Sequence, residues 1–160
     1  MHFRSSTSRD FSSLLDLTLK VFEPFYEESF RPLLGETVYT VQHGSWRSDY
    51  RRELQALLEP APGRGFLVAE DDGVPLGYIA WRTDAVRGHG EITLLAVDAE
   101  HRGHGIARAL CEQALDQMRQ SGARIVEVST GGDGFHAPAR SLYEELGCTS
   151  IPVAVYFKEL

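Results

Sequence analysis

The apolar run Glu91-Ile92-Thr93-Leu94-Leu95-Ala96-Val97 is followed five residues later by Arg102-Gly103-His104-Gly105-Ile106-Ala107, which opens a helical pattern reaching about Gln120. A strand, a glycine-rich turn and a helix in that order leave free backbone N–H groups at a helix start. Those groups and the helix dipole suit a phosphate or pyrophosphate. The two glycines let the backbone approach such an anion with no side chain between. Arg102 adds a fixed positive charge beside it. The unit predicts a chain that binds a phosphate-bearing ligand.

Around this unit the chain alternates recognisably. His2 to Ser5 reads as a short strand, and Phe11, Leu14, Leu15, Thr18 and Phe22 lie on one face of a helix that Pro24 breaks. Phe25 to Leu34 reads as a second short helix ended by Gly35, and Tyr39 to Gly44 as a connection. Ser45 can cap a third helix, whose stripe is Trp46, Tyr50, Leu54 and Leu57. After the breaker-rich loop Pro60 to Gly65, Phe66 to Glu70 and Leu76 to Arg82 read as strands joined through Asp71-Asp72-Gly73-Val74-Pro75. Glu91 to Val97 is the next strand, and the helix from Gly103 turns Ala107, Leu110, Cys111, Ala114 and Met118 inward before Gly122 stops it. Ile125 to Thr130 is a strand, Gly131 to Gly134 a loop, and Pro138 sits near the start of a helix striped by Ala139, Leu142, Tyr143 and Leu146. Val153 to Lys158 reads as a closing strand. Helices first, then strands with two strand–helix–strand units, predict a single α/β domain over residues 1–160: a mixed sheet covered by helices.

Charge and cysteine usage narrow the partners. A formal net charge of −7 argues against a nucleic-acid binder relying on a basic surface. It mildly favours a cationic partner such as an amine. Two cysteines, Cys111 and Cys148, are too few for a disulfide framework or a zinc site, which fits a reducing compartment. Met1 to Asp10 is polar, unlike a signal peptide, and no apolar run is long enough to span a bilayer, so the expected location is the cytoplasm. His101 and His104 flank the turn with no third ligand at a convincing spacing, so no metal site is expected.

The glycine spacing is neither a dinucleotide fingerprint nor a P-loop, which would need Gly-Lys-Ser/Thr. It reads Arg-x-x-Gly-x-Ala, and Ala139-Arg140-Ser141-Leu142-Tyr143-Glu144-Glu145-Leu146-Gly147 reads Ala-x-x-Leu-Tyr-x-x-x-Gly. Together, from about Phe66 to Phe157, these resemble the GCN5-related N-acetyltransferases. The resemblance implies helices on both faces of a mixed central sheet, with a parallel strand pair, Glu91–Val97 and Ile125–Thr130, that splays apart. It implies acetyl-coenzyme A as co-substrate. The pantetheine arm would pair with backbone groups around Leu95, Ala96 and Val97, one N–H of which can stabilise an oxyanion. The pyrophosphate would lie on the N–H groups of Gly103, His104, Gly105, Ile106 and Ala107.

The resemblance also assigns proton carriers. Tyr143 matches the family tyrosine near the coenzyme sulfur, and a phenol stays protonated at neutral pH and can donate; by spacing alone it is a core residue on its helix stripe. Glu91 resembles the glutamate that serves as base through a water in the histone-acetyltransferase branch. Strand alternation puts Glu91, Thr93, Leu95 and Val97 on one face. Glu91 is open either to desolvation by the apolar strand or to solvation at its end. His136 stands where many members carry asparagine, and can bond the pantetheine arm, act as acid or base, or simply start a helix. Two clusters, Glu23, Phe25, Tyr26, Glu27 and Phe30, and Trp46 with Tyr50, are an acidic-aromatic surface for a cationic acceptor or plain core. The implied activity is direct acetyl transfer to a primary amine of a small molecule or peptide by a monomer or homodimer. The alternative is an acyl-coenzyme A sensing module without catalysis.

Overall fold

The computed structural model describes all 160 residues, Met1–Leu160. Its elements are β1 (His2–Ser5), α1 (Phe11–Glu23), a π-helical stretch (Pro24–Phe30), α2 (Arg31–Leu34), α3 (Glu36–His43) and α4 (Trp46–Leu58). They continue as β2 (Arg64–Asp71), β3 (Val74–Asp84), β4 (His89–Val97), α5 (Ile106–Gln120), β5 (Ile125–Val128) and α6 (Ala137–Glu145). The strands form one sheet in the order β1-β2-β3-β4-β5. All neighbours are antiparallel except β4 and β5, which run parallel.

Each face of the sheet carries its own apolar layer. On one, Leu14, Leu17, Val21 and Phe22 of α1 and Trp46 and Leu54 of α4 pack on Phe66, Val68, Tyr78, Ala80, Leu94 and Ala96. On the other, Ile106, Leu110, Cys111, Ala114 and Met118 of α5 and Tyr143 of α6 pack on Leu67, Ala69, Ile79, Trp81, Ile92 and Val97. The sequence stripes of α1, α4, α5 and α6 are the faces that do this. The one polar pair inside the first layer is satisfied: Thr18 Oγ1 lies 2.6 Å from both the Leu14 carbonyl and the Tyr78 hydroxyl.

Several local expectations differ. The β2–β3 turn is tighter than Asp71 to Pro75: Asp71 pairs with Val74, leaving Asp72 and Gly73 alone in the turn, both at positive φ, as a two-residue hairpin needs. Tyr39 to Gly44 is not a connection but most of α3. Its Thr and Val content is poor for a helix, and burial of Tyr39, whose hydroxyl donates to Glu27, overrides that preference. The closing strand Val153 to Lys158 does not form; residues 149–160 have no regular structure, and Val153, Val155 and Tyr156 are exposed. Alternation alone does not make a strand without a ladder partner, and β5 itself ends at Val128, two residues short of the expected Thr130.

Candidate active site

β4 and β5 part company midway. Their register runs from His89 with Ile125 to Ile92 with Val128 and stops there. β4 continues to Val97, still paired with Gly77–Ala80 of β3 on its other side. The β5-facing backbone groups of β4 beyond Ile92 therefore have no strand partner, and Leu95, Ala96 and Val97 lie on this open edge. A free strand edge is a template for an extended chain carrying amides.

The slot leads to the start of α5. Gly103 and Gly105 both hold positive φ, 79° and 76°, and nothing lies within 4 Å of where their Cβ atoms would be. Glycine is what this left-handed turn needs, and the turn is open to an incoming group. No side chain caps the helix at Gly105. The first-turn N–H groups, including those of Ile106 and Ala107, have no intrahelical acceptor by the geometry of any α-helix. The turn is braced from beneath. Arg102 Nε donates to the Val97 carbonyl at 3.3 Å, and Asp98 accepts from the Glu100 N–H and from Lys20 of α1. His104 turns a ring nitrogen back toward the His101 carbonyl, 3.2 Å away. The residues present fit a pyrophosphate: open donors and a helix dipole, with the Asp98 carboxylate turned to the Glu100 N–H and Lys20.

Tyr143 sits in the α5–α6 layer, 9% exposed, on the helix that leaves β5. Burial pushes its phenol well above the usual range, and the neighbouring Cys111 and Cys148 add to this. The same burial pushes the Cys111 thiol up to about 12. Tyr143 thus keeps its proton as a neutral hydroxyl, and the same burial makes that hydroxyl a weaker acid than a free phenol.

Glu91 is placed differently from the strict alternation. A bulge at Thr93 lets Ala80 face Leu94 while Trp81 faces Ile92. The extra residue reverses the facing of the strand beyond it. Glu91 and Thr93 line the α4 side, whereas Leu95 and Val97 belong to the α5 layer. Glu91 lies in a cleft of about 260 Å³ with Glu53 and Leu57 of α4, Arg64, Trp81 and Arg82. Its carboxylate is 29% exposed and accepts from Arg82 Nε at 2.7 Å, so an ion pair, not apolar burial, is its main environment. Burial and the nearby Asp49 push the Glu53 carboxyl up. The Thr93 hydroxyl in the same cleft is buried without a partner.

His136 begins α6, its ring half-buried edge-on to Phe25 (centroids 4.6 Å apart) and Phe135 (4.9 Å). Nδ1 lies 2.7 Å from Asp133 Oδ2. Sequence reasoning did not single out Asp133; the three-residue spacing Asp133-Gly134-Phe135-His136 ahead of a helix was the available signal. The acidic-aromatic clusters are largely occupied by their own contacts. Glu23 pairs with Arg47, and Glu27 accepts from Trp46, Tyr39, Arg31 and Arg47, which together hold its carboxyl at about 2. Tyr26 stacks on Trp46 and Phe22 on Tyr50. These residues mostly join α4 to the π-helical stretch.

A mixed sheet whose parallel pair opens above an uncapped, glycine-lined helix start defines an acetyltransferase fold. The chain belongs to the acetyltransferase (GNAT) family, whose model matches residues 33–148. It is 30% identical over 149 residues to a mycothiol acetyltransferase of Thermobispora bispora, covering 88% of this chain and 49% of the relative. The chain spans about half the length of the curated relatives it matches. A mutant of the BH1408 protein from Bacillus halodurans superposes over 100% of both chains with a TM-score of 0.76 at 20% identity. PaiA N-acetyltransferase from Thermoplasma acidophilum, solved in complex with coenzyme A, covers 91% of this chain and 87% of its own with a TM-score of 0.72 at 16% identity. No helix is long and apolar enough to cross a membrane.

Proposed function

We propose that residues 1–160 act as one N-acetyltransferase domain, moving acetyl from acetyl-coenzyme A directly to a primary amine of a small molecule or peptide. The observation that carries this is the end of β4–β5 pairing at Ile92 and Val128 while β4 runs on to Val97. The pantetheine arm adds to the open edge at Leu95, Ala96 and Val97. The pyrophosphate takes the N–H groups from Gly103 to Ala107, with Arg102 bracing the turn.

Tyr143 protonates the departing thiolate, a role supported by its place in the Leu-Tyr helix motif and by a hydroxyl that keeps its proton. Glu91 accepts the proton of the amine through a water. Support for the relay is distance: Leu95 lies four residues along the strand, roughly 10 Å or more away, beyond direct contact. The cleft around Glu91 and Glu53 is on the α1/α4 side of the sheet, from which the acceptor enters. Its mixed charges favour an acceptor that carries an ammonium close to a polar or acidic group. The chain works in the cytoplasm, as monomer or homodimer, which accords with two free cysteines.

An acceptor screen tests this reading. Free thiol release from acetyl-coenzyme A is followed with amino acids, polyamines, aminoglycosides and lysine peptides. One class should raise the rate far above the amine-free rate. Binding of acetyl-coenzyme A with no amine-dependent release from any class would favour a sensing module instead.

A further inference from the structure

The loop between β5 and α6 is built around a pair of residues. Asp133 grips His136 twice, Oδ2 to ring Nδ1 at 2.7 Å and Oδ1 accepting the His136 backbone N–H at 3.2 Å. Arg140, one turn into α6, donates through Nη1 to the carbonyls of Gly131 at 2.6 Å and Asp133 at 2.7 Å. Gly131 is the position that permits the pair. A Cβ there would lie 2.2 Å from Asp133 Oδ2 and 2.6 Å from His136 Nδ1. No side chain fits without breaking the contact.

The loop follows directly on β5, whose pairing with β4 ends at Val128. Phe135 packs into the α1/α4 layer that contains Leu94 and Ala96 of β4, while Tyr143, seven residues past His136, packs in the opposite layer. The His136 ring is only 17% exposed and faces Phe25, which belongs to the π-helical stretch on the acceptor side. Burial works against the Asp133 carboxylate, but its bonds with His136 outweigh this and hold it below the usual range. An ionised carboxylate only accepts, so Nδ1 is the nitrogen that carries the proton. In the neutral imidazole Nε2 then holds the lone pair, directed away from Asp133 by the geometry of the ring.

We propose that Asp133 is a positioning residue that fixes His136 with Nε2 as the basic nitrogen, and that His136 is a proton acceptor for the incoming amine on the Phe25 side of the slot. The proposal rests on the acetyl-transfer reading above and adds a second base to it, because Glu91 is already engaged by Arg82. The acceptor ammonium gives one proton to His136 Nε2, which passes it to solvent. The free amine nitrogen bonds to the thioester carbonyl carbon and the carbon–sulfur bond breaks. The thiolate takes the Tyr143 proton, and the second proton of the attacking nitrogen passes through water to Glu91, which releases it to solvent as the phenol regains its own.

The test uses the full chain with a saturating amine identified by the screen, and three variants. Asp133→Asn keeps the loop's shape but lets the imidazole take the other tautomer. We expect its turnover, and that of His136→Ala, to fall by about tenfold or more, since a general base is typically worth ~10²–10⁴-fold. The KM for acetyl-coenzyme A should stay within about twofold. Added imidazole should restore part of the rate to His136→Ala and none to Asp133→Asn. Gly131→Ala should resemble Asp133→Asn. Parent-like turnover in the first two variants overturns the proposal. So does a raised KM for acetyl-coenzyme A with unchanged turnover, which would mean His136 holds the arm. Nitrogen NMR of labelled histidine gives a readout independent of activity: Nδ1 protonated and Nε2 bare in the neutral parent, mixed in Asp133→Asn. If no amine is acetylated at all, the transfer reading fails while this spectrum still decides the dyad: a neutral parent with Nε2 protonated overturns it.

Discussion

Tyr143 and Glu91 show how differently two residues of one motif set are decided by their surroundings. Tyr143 lies in an apolar layer that keeps its hydroxyl neutral, so Tyr143→Phe should retain the fold and lose ~10²–10⁴-fold in turnover. Coenzyme affinity should barely change, as titration calorimetry would show. The defect should shrink with an acyl donor whose thiol is more acidic, because that thiolate leaves without help. Glu91→Gln removes both a base and the partner of Arg82. Its rate loss should be largest at moderate pH and partly rescued at higher pH, where more amine is free. A mutant-to-parent rate ratio that is flat across pH counts against the base role. At this scale the sequence was informative about identity and not about environment. The Leu-Tyr helix motif drew notice to Tyr143, and the position of the family asparagine drew notice to His136. The bonds that matter most to Glu91 and His136 come from Arg82 and Asp133, and nothing in local spacing weights those above other charged residues.

Elements were legible where a period or a punctuating glycine dominates. The helices α1, α4, α5 and α6 and the strands β2 to β4 follow their apolar stripes. α3 was missed because tertiary burial of Tyr39 outweighs weak propensity, and the face of Glu91 was misread because one bulge at Thr93 undoes alternation. The last apolar segment alternates like a strand but has no ladder to join. The turn before α5 carries its own prediction. Gly105→Val puts a β-branched residue at φ 76°, so the ligand-free variant should lose about 1–2 kcal/mol of stability. It should also lose affinity for acetyl-coenzyme A through blocked approach of the pyrophosphate. S-acetylpantetheine, which lacks the phosphates, separates the two effects. Its binding should match the parent's in calorimetry. Equal losses for both ligands would show that only the fold was harmed.

For the whole molecule, the edge of the sheet is pinned to α1 by charge. Arg4 of β1 bonds Asp10 at 2.8 and 2.9 Å and Glu70 of β2 at 2.8 Å. The Arg4 bond, against the cost of burial, holds the Asp10 carboxyl at about 2, down from 3.8 when unfolded. A depressed folded value stabilises above the unfolded one, so this contribution is present above about pH 4. It is lost as the pH falls toward about 2, amounting to about 2 kcal/mol. Urea unfolding across that window should show the loss, and Arg4→Ala should show a shallower one. This network joins residues 66 positions apart, and no sequence period announces it. The slot itself depends on the same whole-molecule geometry, since only the sheet order puts β5 beside β4 and lets them part after Ile92. Hydrogen–deuterium exchange with and without acetyl-coenzyme A tests that slot most directly. Added protection concentrated in residues 93–97 and 103–108 is the predicted result. Binding that leaves both segments unchanged and protects another part of the sheet would contradict it.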